Sequence, residues 1–258
     1  MTDLLPRCDG GVPRPISETM TERITARRIF VLTGAGVSAE SGLGTFRDRG
    51  GLWARFDPMT LATPEAFARD PETVLAFYDA RRRAALAARP NAAHHALARA
   101  ADRLAASGGR LFLCTQNVDD LHERAGSREV VHMHGELTRV RCTACGAGAE
   151  HRGDLAVGDR CAACNRAGCL RPDIVWFGEV PKHLDRIEAM LADSDLFVAA
   201  GTSGTVHPAA GFVAYARRRG IRTCALNLEP SGNADLFEET RTGPASRTVP
   251  DFFDALTA

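Results

Sequence analysis

Residues 27–42, RRIFVLTGAGVSAESG, run a short β-branched and apolar stretch, Ile29 to Leu32, straight into Gly-Ala-Gly. A buried parallel strand enters a tight turn in this way. Three more segments have the same form: RLFLCTQN (Leu111 to Thr115), DLFVAAGTS (Leu196 to Ala200) and RTCALNLE (Thr223 to Leu228). Each ends in small or polar residues. Helical spacing fills the intervals. Pro71 to Ala88 places apolar residues at Val74, Leu75, Phe77 and Tyr78, Asn91 caps a segment through Ala106 that stops at Gly108, and Pro208 to Arg219 stops at Gly220. Strand and helix in alternation predict an α/β fold with a doubly wound parallel sheet. Ligands of such sheets bind beyond the carboxyl ends of the strands, which here carry GAG, TQN, GTS and NLE.

The rest of the chain narrows the class. Its 258 residues suit one large domain, or a large one with a small companion, and 45% hydrophobic with 25% charged residues is an ordinary folded composition. Thirty-two basic residues balance 32 acidic ones, so no net field draws the molecule to nucleic acid or anionic lipid. Lys182 is the sole lysine, and arginines scattered among Ala, Gly and Asp read as compositional bias. No apolar run approaches the ~18 residues of a spanning helix, and the Pro/Gly-rich start is unlike an export signal, so a cytoplasmic protein is expected. Residues 1–25 show no periodicity and are expected to form a poorly ordered leader.

One stretch breaks the rhythm. Arg141 to Gly168 is rich in Cys, Gly, Ala and Arg and nearly free of large apolar residues, so it cannot build a core without a staple. The staple is in the sequence: Cys142-x2-Cys145 and, after fifteen intervening residues, Cys161-x2-Cys164. Two such pairs suit a structural Zn²⁺, because four thiolates close its tetrahedron and leave no open position for chemistry. Cys169 offers an alternative partner for Cys164. Cys8, Cys114 and Cys224 read as small buried hydrophobes or free thiols.

The turn at Gly34-Ala35-Gly36-Val-Ser38-Ala39 fits the dinucleotide pattern, with Ala in the third small position. The acidic residue expected ~20 positions on, at the end of a second strand, is missing, which disfavours a hydride-transferring Rossmann enzyme. The Gly-rich SAESGLGTFRDRGGLW that follows, holding Phe46, Arg47 and Trp53, reads as a lid over a ligand.

GAGVSAESGLGTFR, TQNVDDLHERAG, HMHGEL, the two Cys pairs, LRPDIVWFGE, GTS and NLEPS, in this order, resemble the sirtuins, the NAD-dependent protein-lysine deacylases. The resemblance covers about Arg28 to the C-terminus. It implies a catalytic domain over 26–258, with a Rossmann-like large part from about 26–50, 90–138 and 178–258. A small zinc-bearing part would come from about 51–89 and 139–177, and an acyl-lysine peptide would lie between the two. NAD would be the co-substrate and Zn²⁺ structural. The cofactor contacts implied are Gly34, Ala35, Gly36, Ser38, Glu40, Thr45, Phe46, Arg47, Trp53, Gly201, Thr202, Ser203, Leu228 and Ala245, with Asn227 and Glu229 on the adenosine ribose. Where Gly44 stands the family commonly has Pro or another residue, and a glycine there should loosen the lid.

Gln116-Asn117-Val118-Asp119 ends a strand, where amide and carboxylate groups can meet ribose hydroxyls and a carboxamide; a helix cap at Asn117 or Asp119 is the plain alternative. The resemblance makes Gln116 and Asn117 ribose contacts and Asp119 a nicotinamide-pocket residue, with Val118 beside them. His132 and His134 face opposite ways if their segment is extended. By resemblance His134 is the general base and His132 a support, while His94, His95 and His122 on helical segments have structural readings. The implied chemistry consumes NAD: the amide oxygen of acyl-lysine displaces nicotinamide, His134 deprotonates a ribose hydroxyl, and lysine, nicotinamide and O-acyl-ADP-ribose leave. The β-prone Ile174 to Gly178 could pair with the substrate peptide, with Val175, Trp176, Phe177 and Gly178 nearest the acyl-lysine, or be a core strand. Tyr78 and Arg81 share a helix face and could hold a carboxylate, and Tyr-x-x-Arg resembles the branch that removes succinyl and malonyl groups beside acetyl. Two alternatives use the same fold: mono-ADP-ribosyl transfer to protein, and an NAD sensor without turnover.

Overall fold

The structure, a computed structural model, describes residues 27–45 and 58–256; the expected leader and Phe46, Arg47 and Trp53 of the expected lid lie outside the described residues. Six parallel strands form the main sheet: β1 (Arg28–Thr33), β2 (Arg110–Thr115), β3 (Val130–His132), β7 (Leu196–Ala200), β8 (Arg222–Asn227) and β9 (Glu239–Thr242). Their order is β3-β2-β1-β7-β8-β9, so the direction in which strands are added reverses between β1 and β7. That reversal opens a crevice at the carboxyl ends of the two central strands.

An apolar run without polar alternation must be covered on both faces. In β1, Ile29 and Val31 pack with Leu97 and Leu104 of α5 (Ala92–Ala106) and with Val249 and Phe253 of α9 (Ala245–Leu256), while Phe30 and Leu32 pack with Ile187 and Leu191 of α7 (Leu184–Ala192) and Phe212 of α8 (Phe212–Arg218). Asn91 caps α5 as its sequence predicts, accepting from the Ala93 N–H.

A second, antiparallel sheet has the order β5-β4-β6: β4 (Gly135–Cys142), β5 (Gly148–Glu150) and β6 (Leu170–Ile174). Against it lie the short helices α2 (Pro58–Leu61) and α3 (Pro64–Arg69) and the long α4 (Pro71–Ala87), whose Val74, Phe77 and Tyr78 are buried with Leu137, Ile174 and Trp176. At Gly135, φ is +82° and a Cβ would fall 1.9 Å from the Asp173 carbonyl oxygen, so only glycine starts β4 this close to β6.

Three expectations are corrected. Residues 175–178 are not a core strand: β6 ends at Ile174 and the chain turns at Phe177 and Gly178. Leu228 lies past the end of β8. The helix expected from Pro208 is a 3-10 turn, Ala209–Gly211, before the short α8. After the glycine loop the chain opens helix α1 (Ala35–Ser38), a single turn followed by the 3-10 turn Ala39–Ser41.

Candidate active site

Gly34 and Gly36 sit where β1 and β7 part. The Gly34 N–H donates to Ala200 O and the Gly36 N–H to Gly201 O, at 3.0 and 2.9 Å. A Cβ on Gly34 would approach Gly201 O to 2.7 Å, and one on Gly36 would approach Gly201 Cα to 2.8 Å. The glycines therefore serve the close crossing of two backbones as well as any ligand. At the end of β8, Asn227 Oδ1 accepts the Thr202 N–H at 2.9 Å, while its Nδ2 is buried with no protein partner. An orphaned donor beside a glycine cradle suits an oxygen or ring nitrogen of a dinucleotide, and NAD fits the donor set.

The other expected cofactor residues divide. Leu228 and Glu229 are exposed just beyond Asn227, Ser203 pairs with Thr205 at 2.9 Å, and Thr45 and Ala35 are half-buried near the loop. Ala245 is packed into the core at the start of α9. Glu40 spends both carboxylate oxygens on Ser246, accepting from its N–H and its hydroxyl at 2.8 and 2.7 Å. It ties the glycine loop to α9.

Below the loop lies a polar network. Asn117 Nδ2 donates to Gly34 O and Ser38 Oγ, both at 3.1 Å, so both amide hydrogens are spent and Oδ1 is left to meet a ligand as an acceptor. Ser38 in turn donates to Asp119 Oδ2 at 3.1 Å, and Asp119 Oδ1 accepts the Leu121 N–H. Asp119 thus holds the first N–H of α6 (Leu121–Arg124) with one oxygen and Ser38 with the other. Burial pushes its carboxyl up, and the two hydrogen bonds and the nearby His132 pull it back. Thr33, Thr115 and His122 lie deeper: His122 Nε2 donates to Thr33, which donates to Thr115, which accepts the Asn117 N–H. His94 accepts the Asn91 N–H on Nδ1 and presents Nε2 to Ser38. Burial lowers His94 to about 4 and His122 well below the usual range, so both are neutral. No sequence signal marked Thr33, Thr115 or His122 as supports of the site, whereas His94 stands three residues after the Asn91 cap.

The chain turns at Met133 and His134, so the expectation that His132 and His134 face opposite ways does not hold. Both rings reach neighbouring carbonyls at the end of β2: His134 Nδ1 lies 3.1 Å from Gln116 O, and His132 Nδ1 lies 3.2 Å from Asn117 O. A carbonyl only accepts, so His134 carries its proton on Nδ1 and exposes a basic Nε2 lone pair. Burial holds its pKa below the ordinary value, with the Gln116 bond opposing.

Tyr78 is buried and its oxygen accepts the Trp176 indole N–H at 2.8 Å, which leaves the phenol proton to donate elsewhere. Burial raises its pKa and keeps that proton in place. The Arg81 guanidinium stands 5.9 Å from the Tyr78 ring centre and feels the charge of Asp119, so this pair neighbours the polar network. In the turn after β6, Val175 donates to His134 O, Trp176 to Glu179 Oε2 and Phe177 to Ala62 O. Three successive amides are therefore spent. Phe177 and Val180 are exposed, and Gly178 takes φ +86°.

The sulfurs of Cys142, Cys145, Cys161 and Cys164 all lie within 4.8 Å of one another. Cys142 to Cys164 and Cys145 to Cys161 are both 3.7 Å. A tetrahedron with Zn–S of about 2.3 Å has sulfur–sulfur edges of about 3.8 Å, so the four fit Zn²⁺. Cys169 Sγ is 3.3 Å from Cys142 Sγ, closer than such an edge, and donates to Arg166 O, which keeps it a thiol beside the cluster.

The Sir2 family model matches residues 34–208. A protein of Caulobacter vibrioides named NAD-dependent protein deacylase is 58% identical over 231 residues, 90% of this chain and 97% of its own. A solved Sir2 homolog–NAD complex superposes with a TM-score of 0.81 at 39% identity over 90% of each chain. A Sir2 structure bound to acetylated peptide gives 0.76 at 26% identity, covering 89% of this chain and 93% of that one. A family match over most of the length, on a parallel sheet whose central strands cross at paired glycines and beside a second sheet that ends in a four-cysteine cluster, establishes that the chain belongs to the Sir2 family.

Proposed function

We propose that the protein removes acyl groups from protein lysines with consumption of NAD, and that it acts on acetyl, succinyl and malonyl groups. The observation that carries this is His134: its Nδ1 is committed to Gln116 O, the carbonyl next to Asn117 at the end of β2, and burial lowers its pKa, so the ring is a neutral base with its proton on Nδ1 and a lone pair on Nε2. NAD supplies an activated ribose when bound. Gly34, Gly36, Thr202, Ser203 and Asn227 hold its phosphates and adenosine side, with Ala35, Ser38, Glu40, Thr45, Val118, Gly201, Leu228, Glu229 and Ala245 around them. Gln116 and Asn117 orient the ribose, Asp119 the carboxamide, and His134 Nε2 takes a ribose hydroxyl proton.

The substrate peptide lies along Val175 to Gly178. Since three amides there are engaged within the protein, pairing runs through the carbonyls of Val175 and Phe177, which receive no hydrogen bond among the described residues. The acidic acyl groups are supported by Tyr78, with a proton to give, and Arg81, with a cation, one helical turn apart. The reaction would belong in the cytoplasm, where the thiols described as free would stay reduced.

The test is kinetic: one peptide carrying acetyl-, succinyl- or malonyl-lysine, with NAD, is followed for nicotinamide and its products weighed by mass spectrometry. O-acyl-ADP-ribose with free lysine is expected. Nicotinamide release with ADP-ribosylated protein and no acyl-ADP-ribose would replace deacylation by transfer to protein, and no nicotinamide release would leave a sensor.

A further inference from the structure

Of the four histidines around the site, His132 is the one with an acidic side chain on one ring nitrogen and a backbone carbonyl on the other. His132 is 7% exposed, with Nδ1 3.2 Å from Asn117 O and Nε2 2.7 Å from Glu123 Oε1. His134 meets only the Gln116 carbonyl and His122 only Thr33, while His94 faces the Asn91 N–H and Oδ1 on one side and Ser38 on the other, with no carboxylate against its ring. A neutral imidazole carries a single N–H, so at His132 it would turn a lone pair toward an oxygen lone pair on one side. Both contacts are satisfied only when both nitrogens carry hydrogen.

We propose that His132 is a buried imidazolium, paired with Glu123, and that it is a positioning residue for the NAD site through the Asn117 carbonyl and the Asp119 carboxylate. Its Nδ1–H fixes the backbone of the residue whose amide hydrogens bind Gly34 and Ser38. Its charge favours an ionised Asp119, a carboxylate that burial would otherwise neutralise. The groups facing the ring agree. Glu123 of α6 and Glu136 of β4 are anionic and the Asn117 carbonyl accepts, and together they outweigh burial and raise its pKa. His122 of α6 is held neutral, in part by the His132 charge.

A group whose pKa is raised in the folded state keeps its proton to higher pH than the free side chain and loses it as pH climbs through the raised value. Above that pH the ring releases Glu123 or Asn117, so NAD use should fall on the alkaline side. The role at NAD rests on the proposed assignment of Asn117 and Asp119; the protonation state does not.

Two measurements test the proposal. The first is a side-chain ¹⁵N spectrum of the histidine-labelled protein, in which both nitrogens of His132 are expected in protonated form at pH 7 while His134 shows one. A neutral His132 at that pH would overturn the imidazolium. The second uses Glu123→Gln, which keeps an acceptor and removes the charge. The alkaline limb of kcat/KM for NAD is expected to move down by about one pH unit, with KM for NAD up about tenfold at pH 8 and kcat at saturating NAD nearly unchanged. An unmoved limb, or equal losses in kcat and kcat/KM, would overturn the positioning role. Failure of the deacylase reading would show elsewhere, as nicotinamide release without O-acyl-ADP-ribose or as no nicotinamide release from the parent protein.

Discussion

Two histidines two positions apart do different work because of what each ring touches. His134 Nδ1 meets one carbonyl, so the ring is neutral and basic, and burial lowers its pKa. A base must be unprotonated to act, so the acid limb of kcat for deacylation is expected below pH ~6.5, with a flat profile through neutrality. His134→Ala is expected to cut turnover ~10²- to 10⁴-fold with NAD affinity, read by calorimetry, largely kept; turnover within a fewfold of the parent would remove it from the chemistry. Arg81 is tested by selectivity instead. A charge-assisted hydrogen bond is worth ~1.5 to 3 kcal/mol, so Arg81→Met should weaken succinyl-lysine use by about one to two orders of magnitude, mainly in KM, with acetyl-lysine nearly spared. Equal loss on both peptides would assign Arg81 to the fold. The spacing of Tyr78 and Arg81 was legible in the sequence. The partner that makes Tyr78 a donor, Trp176, was not, because the two lie 98 residues apart and only the packing of α4 on the turn after β6 joins them.

Helix α4 carries a second pair on a neighbouring face. Arg82 is buried, donating to Asp79, to Leu137 O of β4 and to Gly153 O, while Asp79 also accepts the Leu155 N–H. Residues 150–155 thus form a strap from the cysteine segment to the helix that bears Tyr78 and Arg81. Arg83 adds a bond to Asp154, and Arg152 reaches Asp120, next to Asp119. Three successive arginines on a helix, Arg81 to Arg83, ordinarily form a solvated face, and only the tertiary fold shows that the middle one is interior. Asp79→Asn leaves that cation without its counter-charge, and a loss of about 3 to 5 kcal/mol in unfolding free energy is expected. A loss below about 1 kcal/mol in denaturant titration would show that the carbonyls alone hold Arg82. The cysteine pairs were legible because ligand spacing is local, and the cluster chooses between the two candidates for the fourth thiol. Cys161→Ser should therefore lower zinc content and Cys169→Ser should leave it near one per chain; the opposite pattern would reassign the site.

At the scale of the molecule, the main sheet was readable where strands are buried on both faces, since Ile29 to Leu32 and Leu196 to Ala200 are nearly unbroken apolar runs. Its edges were not. β3 is three residues long and β9, Glu-Thr-Arg-Thr, is half-exposed and polar, so neither contrasts with a loop. The same division governs stability. The main sheet has two apolar layers of its own, whereas the residues packed around Cys142, Cys161 and Cys169 are Ala147, Cys164 and Leu170, too little apolar surface to replace a metal. Stripping Zn²⁺ with a chelator should therefore loosen the molecule from one side. In hydrogen exchange read by mass spectrometry, β5, the strap and the segment 156–169 should lose protection first, followed by α4 through Asp79 and Arg82. The central strands β1, β2, β7 and β8 should stay slow. Because the strap also reaches Asp120, the stripped protein should bind NAD more weakly while its sheet remains folded. Uniform loss of protection would mean that the metal holds the whole fold, and unchanged protection in α4 would mean that the strap carries nothing from the metal to the site.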